Sequence, residues 1–221
     1  TEAVKGFTLN AGQVCSAGTR LLVQRSVYQT FLEKVAKAAE SVVPGQNLGP
    51  IITAAQFERV QSYFKIADED GANVLTGGKV AKVKDQENGY YIKPTIYKDV
   101  DNSMRIAQEE IFGPVLSIIP YDTEEEAIAI ANDSLYGLSG GVWAETDEKA
   151  FEADLGAQAL ERHDLGERRL GQLDVGLVEE DVGCEDRAHA CEVDGGIERG
   201  ATVGPVERDQ RLAGQHDRKT L

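Results

Sequence analysis

Histidine is missing from the first 162 residues of this 221-residue chain; the three it has are His163, His189 and His216. A hydrolase that relies on an imidazole base is therefore disfavoured for that stretch. Cysteine is scarce too. Cys15, Cys184 and Cys191 are the whole set, and three at such spacing make no disulfide framework. A free thiol fits a reducing, cytoplasmic setting. No apolar run is long enough to span a bilayer, and no signal peptide is recognisable. Positive charge is in deficit. A net charge of −15 argues against nucleic acid and against anionic membranes as partners. Aromatic residues vanish after Phe151, which is the last of 14.

That disappearance marks a break in composition. Through residue 153 the chain has ten lysines and four arginines; beyond it, one lysine and eight arginines. The tail, residues 154–221, keeps no apolar period of 3.6 or 2. Without aromatics, and with scattered charge, it has little apolar area to offset its ordering entropy. We expect one domain over residues 1–153 and an irregular tail. The tail reads as translation in a wrong frame, joined near residues 151–156, with a divergent extension as the second reading. Cys184, His189 and Cys191 have no fourth ligand of zinc-site spacing, so no metal is expected.

The first 153 residues alternate between strand and helix signals. Leu21–Gln24 is a short strand. Ser26 and Gln29 read as a capping box for a helix whose apolar face is Leu32, Val35, Ala36, Ala39 and Val43. Thr53 and Gln56 repeat the box, with Phe57, Val60, Phe64 and Ala67 at helical spacing before Gly71. Val74 to Val80 around Gly77-Gly78 suggests a hairpin or tight turn. Strands are predicted at 90–97, 115–121 and 141–144. Helices are predicted from Thr123 and from Thr146. This alternation favours an α/β fold with a largely parallel sheet flanked by helices.

Three blocks carry chemistry. The first is Asn10-Ala11-Gly12-Gln13-Val14-Cys15-Ser16-Ala17-Gly18-Thr19-Arg20. Glycines on both sides of Cys15 let the backbone turn sharply and come close to a ligand. A thiol there can be presented to substrate, with backbone N–H groups near a developing oxyanion. The plain alternative is a small hydrophobe in a tight loop. Asn10 is expected to fix the turn, and Arg20 to bond locally as scaffold. The second block is Gln108-Glu109-Glu110-Ile111-Phe112-Gly113-Pro114-Val115. The third is Ala131-Asn132-Asp133-Ser134-Leu135-Tyr136-Gly137-Leu138-Ser139. Its glycines fit a turn, with no dinucleotide fingerprint around them.

In order and spacing the three blocks resemble the aldehyde dehydrogenase superfamily, from about Thr1 to Ala153. The resemblance implies that Cys15 is the catalytic nucleophile and that its backbone N–H is one oxyanion donor. It implies that Glu110 bonds the hydroxyls of the nicotinamide ribose and that Phe112 packs beside the nicotinamide. The cofactor is then NAD or NADP and the substrate a small-molecule aldehyde. The family's chemistry adds the thiolate to the aldehyde, gives up hydride, and hydrolyses the thioester with a glutamate base. An acylating relative would pass the acyl group to coenzyme A instead. A non-catalytic protein on the same fold is a third reading. Against the family pattern, the coenzyme domain and the base are expected before Thr1 and the oligomerisation strand is missing. By itself the chain is then a fragment, expected to turn over little and not to assemble as the parent homo-oligomer does.

Overall fold

The structure, a computed structural model, describes residues 2–144 and the backbone of 175–178 and 191–192. In chain order come α1 (Glu2–Thr8), a single tight turn (Leu9–Gly12), β1 (Arg20–Gln24) and α2 (Arg25–Ala39). Next are α3 (Ala54–Glu69), β2 (Asn73–Thr76), β3 (Thr95–Lys98), α4 (Arg105–Gln108), β4 (Val115–Tyr121), α5 (Glu124–Asn132) and β5 (Gly141–Trp143). Beyond these lie β6 (Val175–Val178) and β7 (Cys191–Glu192).

The strands form one sheet in the order β2-β3-β4-β1-β6-β5-β7. The five from β3 to β5 are mutually parallel; β2 and β7 run antiparallel at the edges. This is the α/β architecture with a largely parallel sheet that the alternating signals predict. Apolar side chains leave the central strands on both faces. Leu22, Val115, Ile119 and Tyr121 pack with Val60, Tyr63 and Ala67 of α3. Leu21, Val23, Leu116 and Ile118 pack with Phe7 of α1 and Leu32 and Val35 of α2. Strands buried on both faces read as unbroken apolar runs, as Val115–Ile119 does but for Ser117.

Local chemistry sets the helix ends. The Thr53 hydroxyl accepts the Gln56 N–H, and the Thr123 hydroxyl accepts the Glu126 N–H. At the far end of α3, Gly71 at φ 77° closes a Schellman turn, with Gly71 N–H on Asp68 O and Ala72 N–H on Ala67 O.

Several sequence expectations are corrected. The helix α2 begins at Arg25 with Gln24 as its cap, so Ser26 lies inside the first turn and caps nothing. It ends at Ala39, which leaves Val43 off the helix and 36% exposed. No hairpin folds back at Gly77-Gly78. The chain turns there, with both glycines at positive φ, and reverses later to pair β2 antiparallel with β3; Gly77 passes so close that a Cβ there would stand 2.2 Å from the Pro94 carbonyl oxygen. The strand predicted over 90–97 shrinks to Thr95–Lys98, since Pro94 has no N–H for a ladder. The irregular tail needs amending at six residues. The apolar run Val175–Val178 supplies a ladder between β1 and β5, and Cys191–Glu192 pairs with β5. The helix predicted from Thr146 and the cysteine–histidine grouping otherwise lie outside the described residues.

Candidate active site

The three blocks precede β1, β4 and β5. Those strands are parallel, so the blocks gather along one edge of the sheet, at the amino ends of its strands. Open α/β sheets commonly bind at the opposite, carboxyl, edge.

The first two blocks touch. Asn10 (φ 49°), Ala11 (φ 57°) and Gly12 (φ 70°) form a run of three left-handed residues. The run brings Gly12 against the second block so closely that a Cβ on Gly12 would stand 2.1 Å from the Gly113 carbonyl oxygen. Glycine is required there by space as well as by φ. The Asn10 side chain donates to the Gln13 carbonyl at 3.1 Å. Cys15 follows in a turn closed by the Ala17 N–H on the Val14 carbonyl. Its thiol is free and exposed, and its own N–H has no partner among the described residues.

The second block hangs from α3. Gln56, Arg59 and Tyr63 share one face of that helix, at i, i+3 and i+7. The Gln56 amide donates to the Ile111 and Phe112 carbonyls, both at 2.9 Å. Arg59 donates to the Glu110 carbonyl at 2.7 Å. The Tyr63 hydroxyl donates to the Glu109 carboxylate at 2.8 Å, and Arg105 grips the same carboxylate with two bonds of 2.7 and 3.0 Å. Burial pushes the Tyr63 hydroxyl up to about 12, and its bond to Glu109 adds to that. The two neighbouring acids therefore differ. Glu109 is fully engaged, whereas the Glu110 carboxylate has no hydrogen bond or ion pair among the described residues. Both Glu110 and Phe112 are half-buried, and Phe112 sits at φ 58°.

The third block ties the others together. Arg20, 1% exposed, donates to the Ala131 carbonyl at 2.7 Å, the Asn102 side-chain oxygen at 2.8 Å and the Asp133 carbonyl at 3.4 Å. Burial lowers its guanidinium to about 10, with the Asp133 carboxylate opposing. Arg20 was expected to bond locally; its partners instead lie 82 to 113 residues away, because β1 delivers it to the C-terminal end of α5. Gln108 donates to the same Asp133 carbonyl at 2.9 Å, and the Glu110 N–H reaches the Tyr136 hydroxyl at 3.4 Å.

A family model, described as the aldehyde dehydrogenase family, matches residues 1–159. The chain belongs to that family. Its relatives include the betaine aldehyde dehydrogenase of Bacillus subtilis, 41% identical over 154 residues, which are 67% of this chain and 31% of that protein. Acetaldehyde dehydrogenase 2 of Cupriavidus necator is 43% identical over 72% of this chain and 32% of its own length. A Mycobacterium tuberculosis aldehyde dehydrogenase complexed with NAD+ superposes with TM-score 0.67 at 38% identity, over 79% of this chain and 34% of that one. The chain spans about a third of the length of the curated relatives it matches.

The dehydrogenase fold supplies what the blocks alone do not reveal. Gln56, Arg59 and Tyr63 shape the edge without belonging to any of the three blocks, and Gln13 shapes it from inside the first block, where the sequence alone assigns it no role. Gln56 had a faint signal: it completes the Thr53 capping pattern, but its amide turns away to the second block instead of back to the cap. Among the described residues no three acidic, cysteine or histidine side chains gather to hold a metal, and no helix is long and apolar enough to cross a membrane.

Proposed function

We propose that this chain carries the nucleophile and the nicotinamide-side contacts of an enzyme that oxidises an aldehyde to a carboxylic acid with NAD or NADP. The observation that carries the reading is that the loop bearing a free, exposed Cys15 meets the Glu110 block, Gly12 against Gly113. Cys15 Sγ attacks the aldehyde carbon, and the Cys15 N–H faces the oxyanion that develops. NAD or NADP, held at its nicotinamide end by Glu110 and Phe112, would supply the hydride acceptor, and water would then release the acyl group from Cys15 Sγ as the acid. Glu110 fits the nicotinamide ribose: a carboxylate is acceptor-only, a ribose diol offers two donors, and this carboxylate is not engaged by any of the described residues. Phe112 gives an apolar surface beside the nicotinamide. The family model's match ends at residue 159, which supports a domain reaching at least residue 153, and the strands Val175–Val178 and Cys191–Glu192 join the same sheet from beyond that point.

The nucleophile is tested on the whole chain with p-nitrophenyl acetate. Sγ bonds to the acetyl carbon, the bond to p-nitrophenolate breaks, and the thiol proton passes to solvent. One acetyl group is expected on Cys15, and none there in Cys15→Ser. Reduced nicotinamide formed from an aldehyde and NAD+ or NADP+ is likewise lost in Cys15→Ser. Formation undiminished in that variant overturns the assignment.

A further inference from the structure

We propose that Gln13 is the positioning residue of the Cys15 loop: its amide holds a strained left-handed turn in place so that the thiol is presented. The inference rests on the reading of Cys15 as nucleophile. Asn10 and Ala11 carry side chains at φ 49° and 57°, where a Cβ crowds the following carbonyl. A turn of that kind persists only when its surroundings over-determine it. On one side Gly12 is backed by Gly113 and Pro114. On the other, Gln13 is engaged at both ends. Its Oε1 accepts the Ile52 N–H at 2.9 Å. Its Nε2 donates to the Asn10 carbonyl at 3.1 Å and the Pro50 carbonyl at 3.3 Å. One side chain thus ties the left-handed turn to a segment 37 to 39 residues away, two positions before the thiol. The backbone N–H of Gln13 also returns to Asn10, at 3.2 Å, so the turn and the clamp share an acceptor.

The role predicts a coupling between Gln13 and Ala11. Glycine enters the left-handed region freely, so a turn with Gly at position 11 needs less holding. Four full-length proteins are compared: wild type, Gln13→Ala, Gln13→Glu, and Gln13→Ala with Ala11→Gly. Each is acetylated by p-nitrophenyl acetate, which needs an oriented thiol and an oxyanion donor. Each is also alkylated by iodoacetamide, which needs only an accessible thiolate. Acetylation is expected to fall roughly tenfold in both single variants, since an ångström of misplacement has effects of that order or more. Alkylation should stay within about threefold of wild type, and the double variant should recover most of the acetylation. Equal acetylation in wild type and Gln13→Ala overturns the proposal, as does a double variant no better than the single one.

A second measurement does not depend on reactivity. The cysteines are labelled with bromotrifluoroacetone, and the Cys15 fluorine signal is assigned by its loss in Cys15→Ser. One narrow line in wild type that splits or broadens in Gln13→Ala supports the clamp even if wild type is not acetylated, in which case the nucleophile reading alone fails. An unchanged line overturns the clamp. Gln13→Glu keeps the shape of the side chain and turns a carboxylate toward two carbonyls, so it serves if Gln13→Ala does not fold.

Discussion

Two loops meet at the edge of this sheet, and they are built in opposite ways. The Cys15 loop makes its shape from its own sequence: three left-handed residues, a short Asn10–Gln13 turn, and one side chain reaching out. The Glu110 loop has little internal bonding. Its carbonyls at 110, 111 and 112 are held by Arg59 and Gln56 of α3, more than fifty residues earlier. The first loop is pre-bent and then pinned; the second is suspended. The nucleophile proposed at Cys15 needs a fixed direction of attack, which a bent backbone supplies. The ribose contact proposed for Glu110 needs a fixed backbone and a side chain left over, which suspension by carbonyls supplies.

The largest effect should come where the two designs touch. Gly12→Ala places a methyl group into the Gly113 carbonyl and adds a Cβ at φ 70°. Overpacking and left-handed strain together cost roughly 3–5 kcal/mol. The expected result is a thermal midpoint lowered by about ten degrees, from the usual few degrees per kcal/mol in a chain of this size. Acetylation of Cys15 should be lost with it. A variant that melts and reacts like wild type would show that the loops do not share this contact.

The next effect separates suspension from shape. Gln56→Leu removes both bonds to the Ile111 and Phe112 carbonyls while leaving the Thr53 cap intact, because the cap uses the Gln56 backbone N–H. Unpaired, partly buried carbonyls cost about 2 kcal/mol. Binding of NAD+, read directly and not through turnover, should weaken, yet acetylation of Cys15 should hold, since the first loop is bent by its own residues and pinned by Gln13. If acetylation falls as much as coenzyme binding, the two loops form one unit and the contrast is wrong.

This contrast also explains what could be read from the residues. The Cys15 loop was legible because its left-handed run and the Asn10 bond to Gln13 act locally, within the window in which motifs are written, even though Gly12 also meets the distant Gly113. The α/β alternation was legible for the same reason: Thr53, Thr123 and Gly71 punctuate helices through bonds to near neighbours. Arg20, Gln56 and Gly77 were misread or passed over because their partners are distant. A guanidinium delivered to the end of α5, an amide lent to another loop and a glycine flattened against Pro94 are tertiary facts. The turn at Gly77-Gly78 is the instructive case. Both residues sit at positive φ, but the chain runs on to Val80, which bridges Ile92, and reverses only beyond it to bring β3 back beside β2.

The smallest and most selective effect lies within the second loop, between two adjacent glutamates. The Glu109 carboxyl is held below its ordinary range, first by its bonds from Arg105 and then by Tyr63, against the opposing effect of partial burial. A depressed carboxyl contributes stability above its unfolded pKa of about 4.3 and loses it as pH falls through the depressed folded value. Glu109→Gln should therefore melt below wild type at neutral pH, and the gap should close as the wild type is acidified through that window. Glu110→Gln removes a carboxylate with no partner among the described residues, so its neutral-pH midpoint should match wild type. Binding of NAD+, read directly and not through turnover, should instead weaken by roughly tenfold, the effect of one lost hydrogen bond to a charged acceptor. The two variants differ from wild type by one atom each, at neighbouring positions. If Glu110→Gln moves the melt and Glu109→Gln moves the coenzyme, the division between a glutamate that holds the loop and one that the loop holds out is reversed.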